Sequence, residues 1–364
     1  MIKFIFTKLK INKMKKILKY FLAIFSLIIL FFIGFLAFST LTDYQPKEKV
    51  SLLQNPTVTP IKDSSFTILS WNIGYCGLGD NMDFFYDGGT TVRDTKERTL
   101  ENMSNIINFI SAQRNIDFFI LQEVDVEAKR TYYINERDSI ENQFSNYLSL
   151  YADNYLVNYV PVPYNEPMGY VRAGLQFLSK EIPNSSARYA FPGNYPWPTS
   201  LFMLDRCFIA NRYTLENGKE LIIINTHNSA FDDGNLKQQQ LDYLKNYLIK
   251  ELDKGNYFVV GGDWNQNPPQ FDDSKFGNYD QSEKFQLTSV SENLFPSNWQ
   301  FIYDPNIPTN RSNITKYKKG ETATTVLDFF LISPNLKANF ITCIDLEFKN
   351  SDHQPIIMNF SIEK

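Results

Sequence analysis

Six short apolar stretches of the chain end in, or contain, a carboxylate, an amide or an imidazole. The polar groups are Asn72, Gln122-Glu123, Asn225-Thr226-His227, Asp263 with Asn265, Asp328, and Asp352-His353. One such case has little meaning, because every strand has to end, but six in one chain indicate that strand ends converge on a single polar site. Both histidines of the chain belong to this set, which favours a functional role for them over a structural one.

The oxygen-rich side chains of this set are typical ligands of hard cations. Carboxylate and amide oxygens suit Mg²⁺, Mn²⁺ or Ca²⁺, whereas Zn²⁺ favours more His or Cys ligands. The three cysteines show no CxxC spacing and are too few for a disulfide framework. Mg²⁺ suits phosphate chemistry, because it polarises a phosphoryl oxygen and lowers the pKa of bound water. Beside it, one histidine backed by a carboxylate can act as base, and the other can donate a hydrogen bond to developing charge.

A mixture of strands and helices has to position these groups. Short apolar runs predict strands at 66–71, 118–121, 175–178, 208–210, 221–224, 258–260, 327–332 and 356–360. Asp94 and Glu97 have the spacing of a capping box before one helix, and regularly spaced leucines between residues 241 and 252 indicate another. Many strands are not separated by helices, which favours packed sheets flanked by helices over a simple parallel βαβ sheet.

The N-terminal region predicts a membrane segment. Residues 20–38 are apolar, no charge occurs between Lys19 and Asp43, and lysines precede the run. Such a run can cross a hydrocarbon core of about 30 Å. The positive-inside tendency places the N-terminus in the cytoplasm and the rest outside, as in a single-pass protein of the cell membrane. A cleaved signal peptide is the alternative, with a weak cleavage site at 37–39, and it too places the domain outside.

The predicted domain organisation has four segments. They are a basic cytoplasmic segment at 1–19, a transmembrane anchor (or cleaved signal) at 20–41, a linker at 42–64 interrupted by Pro46, Pro56 and Pro60, and one catalytic domain at 65–364. The first 41 residues hold seven of the 36 basic residues, which leaves 29 basic against 40 acidic residues and a net charge of −11 for the rest. An acidic domain is not typical of a nonspecific binder of long nucleic acids.

Three further features have two interpretations each. Arg172 and Arg206 are either phosphate contacts or ordinary surface and ion-pair arginines. The aromatic, proline-rich residues 191–198 form either a substrate-side or membrane-facing loop or a plain packed loop. The aspartates between residues 80 and 87 either bind a cation or belong to a solvated loop.

The polar stretches, taken in order, resemble the endonuclease/exonuclease/phosphatase superfamily, which includes deoxyribonucleases, neutral sphingomyelinases and inositol-polyphosphate phosphatases. The matching stretches are LSWNIG at 69–74, LQEVD at 121–125, INTHNSA at 224–230, GGDWNQNP at 261–268, VLDFFLIS at 326–333 and SDHQPI at 351–356. Each is weak alone, but six in the family's order are specific. The resemblance implies an α+β fold, a four-layer α/β/β/α sandwich with two central mixed β-sheets, here preceded by one transmembrane helix. It also implies hydrolysis of a P–O bond with Mg²⁺ or Mn²⁺.

The same resemblance implies a metal site. Asn72 and Glu123 form its main part, with Glu123 as the central ligand, and Asp352 completes or supports it. Asp263 and Asn265 resemble the pair that orients the attacking water and the phosphate, with a second metal as an option.

Catalytic roles also follow from the resemblance. His353 resembles a general base or phosphate-polarising group held by Asp328, and His227 resembles the group that stabilises the transition state or protonates the leaving group. Asp263 is the alternative base. Two positions depart from the family pattern, Asn228 after the Thr-His pair and Trp264 between the Gly-Asp pair and Asn265. Neither departure removes a reactive group.

The predicted function is hydrolysis of phosphate esters outside the cytoplasmic membrane by a metal-dependent phosphodiesterase or phosphatase. The substrate is a lipid headgroup, a small organophosphate or a nucleic acid, the N-terminal helix contacts the membrane, and nothing in the sequence indicates a protein partner. One alternative is a surface nuclease that degrades DNA or RNA and needs a local basic groove. Another is a catalytically silent binding domain on the same scaffold.

Overall fold

The computed structural model describes residues 2–55, 59–232, 235–276 and 287–363. Met1 of the predicted basic segment, Pro56 of the predicted linker and Lys364 at the end of the predicted domain lie outside the described residues.

Within these ranges the chain forms fifteen strands and four α-helices. The strands are β1 Lys49–Gln54, β2 Ser65–Asn72, β3 Phe118–Ala128, β4 Leu148–Val160, β5 Gly169–Ser179, β6 Ser185–Ala190, β7 Cys207–Thr214, β8 Glu220–His227, β9 Tyr257–Asp263, β10 Gln300–Ile302, β11 Asn310–Arg311, β12 Thr324–Thr325, β13 Asp328–Ile332, β14 Leu336–Cys343 and β15 Ile356–Ile362. The helices are α1 Ile2–Leu41, α2 Lys96–Ala112, α3 Glu136–Glu141 and α4 Leu236–Leu252. Short 3₁₀ turns cover Gly74–Cys76, Phe85–Asp87, Lys129–Thr131, Thr199–Phe202 and Asp273–Lys275.

Two mixed sheets form the centre of the domain. The seven-stranded sheet has the order β1-β6-β7-β8-β9-β13-β10, and the six-stranded sheet has the order β14-β15-β2-β3-β5-β4. Each sheet contains one parallel pair, β8 with β9 and β2 with β3, among antiparallel neighbours. The parallel strands lie in the interior of their sheets, as expected for strands that are buried on both faces.

The packing of the sheets and helices confirms the predicted four-layer sandwich. Buried side chains of both sheets meet in one core, which includes Phe118 of β3 and Val259 of β9. On the outer faces, Ile110 of α2 packs against the six-stranded sheet and Leu244 of α4 packs against the seven-stranded sheet. The order of layers is therefore helix, sheet, sheet, helix.

The residue that caps α2 is Thr95, one position after Asp94, the first residue of the predicted capping box. The hydroxyl of Thr95, rather than the carboxylate of Asp94, accepts from the backbone N–H of Arg98 at 3.2 Å and caps α2. Asp94 Oδ1 instead accepts from the backbone N–H of Thr95 at 2.7 Å. Asp94 therefore fixes the turn before the cap, and Thr95 begins the helix.

The segment predicted as a linker contains ordered structure. Residues 49–54 form β1, an edge strand that pairs antiparallel with β6. Leu53 packs against the core between the sheets, so this part of the segment buries apolar surface. Before it, the helical residues Asn12–Leu41 are long and apolar enough either to cross a membrane or to serve as a signal sequence.

Candidate active site

The predicted site residues meet at one edge of the two sheets. Asn72 ends β2, His227 ends β8, Asp263 ends β9 and Asp328 begins β13. The strand register places His227 beside Asp263 and Asp263 beside Asp328. A cleft opens at this edge and is lined by Glu123, His227, Asp263, Asn265, Asp352 and His353.

Glu123 enters the cleft because of an irregularity in β3. The pairing of β3 with β5 shifts register between Leu121 and Val124, and Glu123 has a positive φ of 55°. A bulge of this kind re-aims a side chain, and strained backbone of this kind clusters at functional sites. Asn72 Nδ2 then donates to Glu123 Oε1 at 3.1 Å and to Asp263 Oδ2 at 3.0 Å. The amide therefore bridges the two carboxylates.

The electrostatics of Glu123 indicate a place for a cation. Burial, together with the negative charge of Asp352, raises the pKa of Glu123 to about 7. Ligand atoms of Glu123, His227 and Asp263 lie within 4.8 Å of one another. Converging carboxylates repel one another, and a divalent cation between them relieves that repulsion. This donor set, rich in oxygen atoms, fits a hard divalent metal ion.

His353 is held in a fixed orientation. Its Nδ1 lies 2.7 Å from Asp328 Oδ2, and its Nε2 lies 2.9 Å from Asn310 Nδ2 and 3.6 Å from Asp263 Oδ2. Trp71 Nε1 donates to the backbone carbonyl of His353 at 3.0 Å. Burial disfavours the charged ring, but the carboxylates of Asp328 and Asp263 outweigh this effect and raise the pKa of His353 well above its ordinary value.

His227 differs from His353 in its surroundings. Its Nε2 lies 3.4 Å from Asp263 Oδ2 and 3.9 Å from Glu123 Oε1, while its Nδ1 has no hydrogen-bond partner among the described residues. Burial, with the positive charges of Arg206 and His353, lowers the pKa of His227 well below its ordinary value. A neutral ring carries one N–H, which suits His227 to donating a hydrogen bond.

Asp263 and Asn265 form a tight turn at the end of β9. Asn265 has a φ of 50°, and its backbone N–H donates to Asp263 Oδ1 at 2.8 Å. Its side chain Nδ2 donates to the backbone carbonyl of Asn228 at 2.9 Å. Lys237 Nζ from α4 donates to the carbonyl of Asn265 at 3.1 Å. The segment after β8 and helix α4 therefore hold this turn, and both Asp263 and Asn265 line the cleft.

The two arginines suspected of phosphate contact have different positions. Arg206 lines the cleft, and its Nη1 is buried without a hydrogen-bond partner among the described residues. Arg172 instead pairs with Asp153 at 2.9 Å. Register explains the difference, because Arg206 directly precedes Cys207, which lies beside His227 on the neighbouring antiparallel strand. The start of β7 and the end of β8 therefore share one edge of the sheet.

The aspartates between residues 80 and 87 have separate partners. Asp80 pairs with Arg98 at 2.8 Å, and Asp83 accepts from the backbone and the hydroxyl of Thr90 at 3.0 and 2.9 Å. Asp87 alone of the three lines the cleft, where burial raises its pKa to about 6. Asp80 and Asp83 therefore have partners away from the cleft, and Asp87 belongs to its lining.

The two departures from the family pattern are buried. The ring of Trp264 stacks on Phe329 at 4.8 Å between centroids, and its Nε1 donates to the Phe329 carbonyl at 3.0 Å. Asn228 Oδ1 accepts from Thr226 Oγ1 at 2.7 Å. Trp264 packs in the core next to the site, so this difference from the family pattern changes the packing of the core and not the reactive groups.

Gly74 leaves room for Asp352. Gly74 has a φ of 51°, and a Cβ there would lie 2.8 Å from Asp352 Oδ1 and 3.0 Å from Ser351 Oγ. If the hydrolytic activity that the resemblance implies is present, we expect Gly74→Ala to lower kcat/KM for a chromogenic phosphodiester at least about tenfold, because the added methyl displaces the carboxylate of Asp352 from the site. The backbone conformation alone costs about 1 kcal/mol.

Gly218→Ala is the matched control, since Gly218 has a φ of 73° and nothing within 4 Å of the added methyl. Both variants should lose similar stability in thermal unfolding, and only Gly74→Ala should lose activity. Equal activity of the two variants would mean that the position of Asp352 is irrelevant.

Comparison with known proteins gives a family and a fold. The family model described as "Endonuclease/Exonuclease/phosphatase family" matches residues 69–353. An endonuclease/exonuclease/phosphatase structure from Beutenbergia cavernae DSM 12333 has a TM-score of 0.56 at 13% identity, and the match covers 83% of this chain and 72% of that chain. No curated protein matches the chain.

Two further solved structures share the fold. ANGEL2, described as a 2′,3′-cyclic phosphatase, has a TM-score of 0.51 at 17% identity over 88% of this chain and 99% of that chain. The human Nocturnin catalytic domain, solved with a bound sulfate anion, has a TM-score of 0.50 at 15% identity over 84% of this chain and 96% of that chain. At sequence identities this low, the similarity to these structures shows a shared fold and nothing more.

Proposed function

Because the chain belongs to the endonuclease/exonuclease/phosphatase family, we propose that it is a divalent-metal-dependent hydrolase of phosphate esters that acts outside the cytoplasmic membrane. The observation that carries the proposal is the meeting of Glu123, Asp263 and the Asp328–His353 pair in one cleft. Carboxylates beside an oriented imidazole are what metal-assisted hydrolysis requires.

Asn72, Glu123 and Asp352 would hold the metal, with Glu123 as the central ligand, and Asp263 and Asn265 would provide a second set of oxygens. Asn72 would contribute its amide oxygen after the amide turns over, because Nδ2 faces Glu123 and Asp263 and Oδ1 accepts from the backbone N–H of Gly74 at 3.0 Å. When bound, Mg²⁺ or Mn²⁺ supplies a Lewis acid that polarises the phosphoryl oxygen and stabilises charge on it.

His353, Asp263 and His227 have different roles in proton transfer and hydrogen bonding. His353, with Nδ1 donating to Asp328, presents Nε2 on the side of Asp263. The carboxylates that raise the pKa of this ring favour its charged form, so Nε2 would accept a proton from water once a bound cation offsets their charge. Asp263 is the alternative acceptor of this proton. His227, buried and neutral, donates a hydrogen bond to charge that develops on an ester oxygen.

Arg206 binds the phosphate in this proposal. Its buried guanidinium lines the same cleft as Glu123 and Asp263, close enough for their charges to act on it. We expect Arg206→Ala to raise KM about 10- to 100-fold, because a hydrogen bond to a charged group contributes about 1.5–3 kcal/mol. Steady-state kinetics with a chromogenic phosphodiester measure this change. Arg172→Ala, which breaks a half-exposed ion pair, serves as control and should leave KM unchanged; similar KM values for both variants would remove Arg206 from the site.

A substrate panel tests the proposal as a whole. The full chain in detergent micelles is assayed with Mg²⁺ or Mn²⁺ on a chromogenic phosphodiester, a chromogenic phosphomonoester, sphingomyelin, inositol phosphates and plasmid DNA. We expect turnover of at least one small or lipid ester that is abolished by chelation. Cleavage of DNA alone would favour a surface nuclease, and no turnover with either metal would favour a silent binding domain.

The proposed membrane topology follows the N-terminal charges. The lysine-bearing residues 1–19 remain in the cytoplasm, residues 20–41 cross the membrane, and residues 42–64 connect them to the catalytic domain at 65–364. Because β1 lies within the connecting segment and pairs with β6, the catalytic domain begins close to the membrane.

A further inference from the structure

The C-terminal end of α1 rests on the catalytic domain. The ring of Phe35 stacks on Phe202 at 5.8 Å between centroids and meets Tyr159 edge-on at 6.1 Å. Trp197 Nε1 donates to Thr40 Oγ1 at 3.2 Å. We call Tyr159, Trp197 and Phe202 the aromatic rim.

The depth of Phe35 in the proposed anchor places the aromatic rim at the membrane surface. About 20 helical residues cross a hydrocarbon core of about 30 Å, and the uncharged stretch begins at Tyr20. The core would therefore end near Ser39, and Phe35 lies about 6 Å inside that boundary. Tyr159 and Phe202, which contact Phe35, would therefore lie at or just inside this boundary, and Trp197, which contacts Thr40, would lie at the interface, where Trp and Tyr are enriched in membrane proteins.

The composition of the aromatic rim suits this position. Trp197 is 60% exposed and Tyr159 is 43% exposed. Residues 191–204, which include Trp197 and Phe202, carry no charged side chain. Exposed aromatic side chains in an uncharged segment beside a membrane helix are typical of a surface that contacts lipid.

The aromatic rim leads directly into the cleft. Met203 and Leu204 follow Phe202 in the chain and line an apolar branch of the cleft. Arg206 lines both this branch and the main cleft. Tyr155 lines both spaces, and its hydroxyl donates to the Phe202 carbonyl at 3.0 Å. An apolar wall therefore runs from the membrane-facing rim to the guanidinium next to the metal ligands.

We infer that the substrate is a phosphate ester of a membrane lipid, which enters the cleft from the bilayer surface beside α1. The phosphate lies at Arg206 and the metal ligands, and the apolar part of the lipid follows the branch lined by Met203 and Leu204. Water adds to phosphorus, the ester P–O bond breaks, and the released alcohol takes up the proton. This inference rests on the proposed function and adds the substrate class and its route.

Tryptophan fluorescence of the full chain in vesicles tests the position of the rim. Trp197 is the exposed tryptophan, because Trp71, Trp264 and Trp299 are buried. In phosphatidylcholine vesicles, we expect lipids brominated near the headgroup to quench the emission, and the quenching should disappear in Trp197→Phe. Quenching by aqueous iodide instead, or loss of Trp197 exposure through contact with a second copy, would overturn the inference.

Kinetics in the same vesicles test the route. Trp197→Ser and Tyr159→Ser should lower hydrolysis of vesicle lipids (phosphatidylcholine, sphingomyelin or phosphatidic acid) about tenfold or more and change turnover of a soluble chromogenic ester less than twofold. Phe340→Ser, at a 50% exposed position of β14, is the control and should change neither rate. Turnover of the soluble ester without turnover of any vesicle lipid would overturn the inference and leave the proposed function standing, whereas loss of both in the parent chain would overturn both.

Discussion

Replacing Glu123 by Gln is expected to lower kcat for a phosphodiester about 10³-fold or more. Glu123 is the only carboxylate that the bulge in β3 brings into the described part of the cleft, and Asn72 contacts it at 3.1 Å. Gln has nearly the same size and shape as Glu, so the substitution removes the negative charge of the side chain and changes little else. A bound cation contributes several kcal/mol of transition-state stabilisation, and each 1.36 kcal/mol is about tenfold in rate.

The control for this variant lies on the same strand. Glu127→Gln removes the same charge from an exposed position four residues further along β3. Rates are compared at saturating Mg²⁺ and again at tenfold higher Mg²⁺, because a weakened ligand set shows partial rescue by excess metal. Activity of Glu123→Gln within a few-fold of Glu127→Gln would exclude Glu123 as the central metal ligand.

His353→Ala is expected to lower kcat about 10²- to 10⁴-fold, the range for loss of a general base. The ring is the one imidazole of the chain that a carboxylate orients directly, with Asp328 at 2.7 Å from Nδ1. Removing it leaves the metal ligands in place, so metal affinity should change much less than kcat. Single-turnover kinetics separate this loss in the chemical step from any change in binding.

Asp328→Asn tests whether Asp328 acts through His353. The amide cannot hold the imidazole in the same tautomer, so we expect a loss of rate in the parent chain and little further loss when the substitution is added to His353→Ala. Additive losses would mean that Asp328 acts independently, for example through its contacts near Asp263. A His353→Ala variant with parental kcat would transfer the role of base to Asp263.

The sequence predicted the interior strands of the two large sheets except β6, and it failed at the edges of these sheets. Strands β8, β9 and β13 are buried on both faces and therefore appear as continuous apolar runs. The edge strands β1, β4, β10 and β14 escaped prediction, because exposed or partly buried residues interrupt them and no continuous buried run marks them. Strand β3 continues to Ala128, beyond the predicted end at residue 121, since polar residues at its bulge interrupt the apolar run.

The sequence also predicted which polar residues meet, because strand ends carry them. It did not predict the geometry that gives each residue its surroundings. The positive φ values of Glu123 and Asn265 and the neutral, buried state of His227 depend on contacts between distant segments. Neither the residue type nor the neighbouring sequence distinguished Arg206 from Arg172 as a phosphate contact. Only the antiparallel pairing of β7 with β8 brings Arg206 to the site.

The central claim is that carboxylates and amides from distant segments hold a divalent cation beside two imidazoles. Electron paramagnetic resonance of Mn²⁺ added to the metal-free full chain tests it most directly, since binding removes the signal of the free ion. We predict that the parent chain and Glu127→Gln remove this signal at micromolar Mn²⁺, and that Glu123→Gln weakens binding at least about tenfold. Mn²⁺ that remains free with the parent chain, or binds Glu123→Gln as tightly as the parent, would contradict the metal site on which the proposed function depends.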